Sequence, residues 1–243
     1  MAKKKTVYHC TECGAEYPKW QGFCSQCGVW NSIEEEEVII GKQDKASRTF
    51  TAQSITASKP VRLGDIEQRS ESRLSLGDPE LDRVLGGGLV EGSFILLGGE
   101  PGIGKSTLVL QTILRLPYKT LYVSGEESLS QLKMRADRIG GTNDDCLIYA
   151  ETNLEKILAT AIDTQPHILV NYSIQTIQTE LSDSSPGSVS QIRECATALL
   201  KYCKTEGVAV ILIGHINKEG SIAGPKILEH TVDVVLQFDG DKH

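Results

Sequence analysis

From about residue 74 onward, apolar positions come in short runs separated by polar turns, and the runs are of two kinds. "SFILLGG", "KTLYVSG", "CLIYAE", "HILVNY", "VAVILIGHI" and "TVDVVLQF" are short and rich in β-branched residues, the mark of strands. "TLVLQTILRL", "SLSQLKMRADRIG", "NLEKILATAI" and "SVSQIRECATALLKYCKTEG" are amphipathic, the mark of helices. Strands that alternate with helices in this way predict an α/β unit with a mostly parallel sheet covered on both faces. Upstream the pattern changes. Residues 1 to about 31 are rich in Cys, Gly and aromatic residues, while residues 32 to 70 are polar and show no sustained apolar period. The reading is a small N-terminal module (1–31), a linker (32–70) and the α/β unit (71–243), with no internal repeat.

The 243 residues are 40% hydrophobic and 23% charged, enough apolar material for a sizeable core and a small satellite unit. No apolar run approaches the roughly 20 residues that span a bilayer. The opening "MAKKKTVYHC" is basic but has no apolar stretch behind it, so it does not read as a signal peptide. The expected setting is the cytoplasm, away from any membrane. The net charge of −7 argues against nucleic acid, whose phosphates need Lys and Arg. That argument weakens because "IEEEE" (Ile33 to Glu37) places four of the negative charges in one stretch of the linker.

Of the seven cysteines, Cys10, Cys13, Cys24 and Cys27 form two C-x₂-C pairs separated by ten residues. Each pair offers two thiolates from one tight turn, and two turns complete a tetrahedral four-sulfur shell for zinc, at about 2.3 Å per bond. Gly14 and Gly28 follow the second cysteine of each pair, where such a turn wants a residue tolerant of positive φ. Two disulfides or a redox pair are the alternatives; a reducing compartment disfavours the first, and the second does not need two copies. A closed shell leaves no open position for a substrate, so its role is to fold an element too small for its own core. Cys146, Cys195 and Cys203 lie in core-like segments and read as small buried hydrophobes.

"GGEPGIGKST" contains Gly99-x₄-Gly104-Lys105-Ser106 between the strand "SFILLG" and the helix "TLVLQTILRL". Strand, glycine loop and helix N-terminus together make a phosphate cradle. Its span is Gly99, Glu100, Pro101, Gly102, Ile103, Gly104, Lys105, Ser106 and Thr107, with Thr107 opening the helix. Backbone N–H groups converge on the β-phosphate, Lys105 neutralises β/γ charge and the Ser106 hydroxyl is the ligand for Mg²⁺. A glycine turn that happens to carry Lys-Ser is the bland alternative. ATP and Mg²⁺ are the implied cofactors, with Zn²⁺ at the cysteines.

Two further signals lie at strand ends. "LYVSGEES" puts Glu126 and Glu127 at the carboxyl edge of the sheet, where a glutamate can polarise the water that attacks a γ-phosphate; the alternative is a solvated helix N-terminus. "HILVNYSIQTIQ" ends a buried strand where ATP-using proteins usually keep an aspartate that helps to hold Mg²⁺ through water. Asn171 and Tyr172 stand there instead. A neutral amide or phenol does not supply the charge; the alternatives are that Glu126 or Glu127 covers the loss, or that the departure is a defect of this one sequence.

The cysteine quartet, "LSLGDPELDRVLGGGLVEGSFILLGGEPGIGKST", "LYVSGEES", "SIQTI" and "GHINKEGSIAGPKILEHTVDVVLQFDG", in that order, resemble the bacterial RadA/Sms family of DNA-repair proteins. That resemblance implies a RecA-like P-loop ATPase core behind a zinc module. It further implies an ATP-driven, DNA-binding hydrolase of recombinational repair that promotes branch migration or strand unwinding, as a homo-oligomeric, hexameric ring on single-stranded or branched DNA, with a recombinase as a further partner. Carried over, the catalytic positions are Lys105, Glu126 and His215, the last a γ-phosphate sensor, and Lys218 and Lys226 are the DNA contacts in a pore loop, against a reading as solvated lysines. The family continues past the position matching His243 with a Lys-Asn-Arg-Phe-Gly motif and a Lon-protease-like domain, so the resemblance implies a fragment. The family also has Asp where this chain has Tyr172. Two other readings stay open: a nucleotide-binding module with little hydrolysis, and a clock-ATPase-like regulator whose partner is a protein. The zinc module before the core favours the repair family over the regulator.

Overall fold

A computed structural model describes residues 3–11, 15–40, 62–65, 72–182, 184–214 and 228–240. Three strands, β1 (Lys3–Cys10), β2 (Glu16–Tyr17) and β3 (Ile33–Ile40), form an antiparallel sheet in the order β2-β1-β3. The glutamate run in the stretch read as linker is thus a strand, paired along the whole of β1 from Lys3↔Ile40 to Cys10↔Ile33. Its residues have no apolar period to advertise it. What fixes the register is the start, where Ile33 is buried with Cys10 and Cys24 in a small apolar cluster.

The main unit opens with β4 (Arg73–Leu74), α1 (Pro79–Val84) and β5 (Leu89–Val90). There follow β6 (Phe94–Gly99), α2 (Lys105–Ile113), β7 (Thr120–Ser124), α3 (Leu129–Ile139) and β8 (Cys146–Ala150). α4 (Leu154–Thr164), β9 (Ile168–Tyr172), α5 (Val189–Glu206), β10 (Ala209–Ile213) and β11 (Val234–Phe238) complete it. Six of these strands make one parallel sheet in the order β11-β6-β10-β9-β7-β8. The helices start where their caps are. Ser128 and Gln131 form a capping box on α3, and Asn153 and Ser188 cap α4 and α5 through Lys156 N and Gln191 N.

Alternation along the strands divides the core into two layers. On one face Leu110, Ile113 and Leu132 of α2 and α3 pack on Ile95, Leu97, Tyr122, Ile168 and Val170. On the other, Leu154, Ile157, Leu199 and Tyr202 of α4 and α5 pack on Leu96, Leu121, Val123, Leu169 and Leu212. The α/β class and parallel sheet expected from the apolar pattern are what forms. Cys195 and Cys203 are fully buried as expected, and burial pushes their thiols up to about 12 and about 11. Cys146 is only half-buried, because β8 is a sheet edge covered less completely than the central strands. No helix among the described residues is long and apolar enough to cross a membrane.

The chain leaves β6 for α2 on one face and leaves β9 for α5 on the other, with β10 between them. Connections that part in this way open a crevice at the carboxyl ends of the strands, the usual place for a ligand in such a sheet.

Candidate functional site

The phosphate loop sits at that crevice. β6 ends at Gly99, and α2 begins at Lys105, two residues before the position expected from sequence, with Gly104 at its N-cap. Gly102 and Gly104 have φ of 80° and 109°, which side chains rarely adopt, so the loop's path depends on both glycines. A Cβ on Gly99 would lie 2.5 Å from the carbonyl oxygen of Phe238 in β11. Lys105 folds across the loop and its Nζ donates to the Gly99 and Glu100 carbonyls, both at 2.8 Å. Burial lowers its pKa while Glu126 pulls the other way, and an anion in place of the two carbonyls favours the charged ammonium.

Glu126 and Glu127 lie between β7 and α3, and both backbone N–H groups donate to Ser124 Oγ, at 3.4 and 3.0 Å. Glu127 is not a solvated helix-end acid: its side chain is only 13% exposed and is paired with Arg135. Arg135 also donates from Nη1 to Ser106 Oγ at 2.9 Å. Sequence reading missed Arg135, since nothing links it to a loop 29 residues away. The available signal was its place three residues after the buried Leu132, on the helix face turned to the loop.

Tyr172 ends β9, half-buried on the α2/α3 side, and its hydroxyl hydrogen-bonds both Ser106 and Glu126. Burial first, then the Glu126 carboxylate, push the phenol up to about 12, so it is neutral at pH 7. The departure seen in the sequence therefore lies in the site itself. Asn171 points to the opposite face by strand alternation. It is buried there, and neither amide atom meets a hydrogen-bond partner among the described residues. Asn171 therefore takes no part on the loop side.

These residues fit the phosphates of a nucleotide, with a glycine loop, a helix N-terminus and two cations. They do not fit Mg²⁺ in the usual way. One lone pair of Ser106 is taken by Arg135, its neighbour Tyr172 is uncharged, and the nearby carboxylates are engaged by Tyr172 and Arg135.

In the N-terminal module, the sulfurs of Cys10, Cys24 and Cys27 all lie within 4.8 Å of one another. Cys10 Sγ and Cys27 Sγ are 3.6 Å apart, far beyond a disulfide bond of about 2.05 Å. The Cys27 N–H donates to Cys24 Sγ at 3.5 Å, and Gly28 has the positive φ expected of it, 75°. Three converging thiols with backbone N–H support fit a tetrahedral zinc ion. Cys13 lies outside the described residues, as do His215, Lys218 and Lys226.

Comparison with known proteins agrees with this geometry. A family described as AAA domain matches residues 58–221, and one described as rubredoxin metal binding domain matches residues 8–35. The DNA repair protein RadA of Halalkalibacterium halodurans is 46% identical over 100% of this chain and 53% of its own length. The RadA proteins of Pseudomonas aeruginosa and Escherichia coli are each 47% identical over 99% of this chain, covering 53% and 54% of their own lengths. The chain thus spans about half the length of these relatives. A solved KaiC-like protein of Pyrococcus horikoshii superposes with a TM-score of 0.57 at 22% identity, over 70% of this chain and 82% of that one, a likeness of fold. With the phosphate loop, the parallel sheet and the cysteine cluster in place, the chain belongs to the AAA domain family, and it is similar to the RadA proteins over about half of their length.

Proposed function

We propose that this chain is the nucleotide-binding part of a DNA-repair ATPase that works in the cytoplasm on single-stranded or branched DNA. The convergence of Lys105, Ser106, Arg135 and Glu126 around the glycine loop carries this reading. Gly99 to Thr107 cradle the phosphates of ATP through backbone N–H groups, and Lys105 turns from its two carbonyls to the β/γ oxygens. Glu126 polarises the attacking water once Tyr172 releases it. His215 senses the γ-phosphate, and Lys218 and Lys226 meet DNA phosphates.

Residues 1–40 act as a zinc-folded unit, since β3 completes the sheet that carries Cys10. Zinc held by Cys10, Cys13, Cys24 and Cys27 supplies cross-linking to a unit whose buried apolar cluster, among the described residues, is Cys10, Cys24 and Ile33. The active form is a homo-oligomeric ring that promotes branch migration or unwinding, with a recombinase as partner.

A second reading, nucleotide binding with little hydrolysis, is favoured by one observation: Tyr172 directs its proton at Glu126, the group that has to accept one from water. Measuring ATP turnover with and without single-stranded DNA separates the two. DNA-stimulated phosphate release supports the motor, tight ATP binding with no release supports the second reading, and no ATP binding sinks both.

A further inference from the structure

The polar groups beside the phosphate loop form a directed chain. Glu126, when ionised, only accepts, so the single proton of the Tyr172 hydroxyl points to it. The Ser106 hydroxyl must then donate to Tyr172, and Ser106 in turn accepts from Arg135 Nη1 at 2.9 Å. The other guanidinium nitrogen, Nη2, is fixed by Glu127. With side chains 21% and 13% exposed, Arg135 and Glu127 form a pair partly withdrawn from water.

Ser106 therefore spends its proton on a neutral phenol and one lone pair on a cation. A Mg²⁺ ion needs that oxygen at about 2.0–2.1 Å and octahedral room around it. It would share the oxygen with a guanidinium and would find no anion at residue 172 to screen the two positive charges from each other. The guanidinium needs no such help. Its planar fork suits phosphate oxygens, and Nη1 can turn from Ser106 to a phosphate while Glu127 keeps Nη2 in place.

We propose that Arg135 supplies the positive charge beside Ser106, so that this chain binds the phosphates of a nucleoside triphosphate without a divalent metal. The proposal rests on the phosphate-loop reading above, and it makes Arg135 a phosphate-binding residue of α3.

The test is a fluorescence titration of the whole chain with N-methylanthraniloyl-ATP, in buffer cleared of free divalent ions over a chelating resin and again with excess Mg²⁺. Clearing the buffer in this way, rather than adding chelator to the protein, leaves the zinc module loaded. Affinities that agree within about threefold in the two conditions are expected, a difference under one kcal/mol. Arg135→Gln should weaken metal-free binding about tenfold or more, the value of a charge-assisted hydrogen bond, and weaken binding in Mg²⁺ less. Arg135→Lys keeps the charge but not the fork, and should fall between the two. If Arg135→Gln does not fold by circular dichroism, Arg135→Lys and the wild-type ratio still decide. A wild-type loss of more than about tenfold on removing Mg²⁺ overturns the proposal, as does an unchanged ratio in a folded Arg135 variant; either leaves the phosphate-loop reading standing. No binding in either condition overturns that reading and this one with it.

Discussion

The Tyr172 hydroxyl stands between Ser106 and Glu126, and a phenol differs there from a carboxylate in two ways. It brings no charge, and since its pKa is held up to about 12, raising the pH across the physiological range does not create one. It also donates a hydrogen bond to Glu126, where a carboxylate would have no proton to donate. Tyr172→Asp is therefore expected to raise ATP turnover at least several-fold at saturating Mg²⁺, while nucleotide affinity changes less. Groups that orient the ligands of a metal site are typically worth about 10–100-fold in affinity or activity. Phosphate release by both proteins measures it, and equal rates would show that the site never needed the acid. The substitution was legible in the sequence because it interrupts a pattern. The direction of its hydrogen bonds was not, because they depend on Arg135 and Ser106, which meet only when α3 packs beside α2.

At the scale of elements, the site depends on how the ends of β7 and β9 are laced. The Gly125 N–H donates to the Tyr172 carbonyl at 2.8 Å, which fixes Glu126 relative to Tyr172. A Cβ on Gly125 would lie 2.1 Å from Thr176 Oγ1 and 2.8 Å from Thr176 Cβ, in the turn after β9. Gly125→Ala should cost about 1–3 kcal/mol, the range for forced overpacking, and weaken ATP turnover as Glu126 shifts. Removing the obstacle with Thr176→Gly in the same chain should recover part of the thermal stability. A Gly125→Ala protein as stable as wild type would mean that the two strand ends move independently. The strands and helices around this point follow from apolar periodicity. β3 does not, since its glutamates become a strand only through the backbone partners that β1 offers.

For the whole molecule, the N-terminal cluster of Cys10, Cys24 and Ile33 and the two layers on the large sheet are separate interiors. Cys24→Ser is therefore expected to abolish a content of about one zinc per chain and to leave the unfolding of the α/β unit unchanged. Metal analysis and calorimetry on the same samples test both halves; a metal-free wild-type protein would refute the site. DNA binding should be weak for a chain of net charge −7 and should fall with salt, with a slope near −0.7 per phosphate contact on single strands. Tight, salt-insensitive binding would speak against the assignment. Local spacing already encodes the alternation of strand and helix, the glycine loop that ends in Lys105 and Ser106, and the paired cysteines. Each is a short-range pattern whose physical requirement is met by neighbours in the chain. Packing sets the rest: which face Tyr172 and Asn171 occupy, that Glu127 pairs with Arg135, and that Arg135 reaches Ser106. Those contacts join α2, α3, β7 and β9, and the packing of the two helices and the order of the strands determine them.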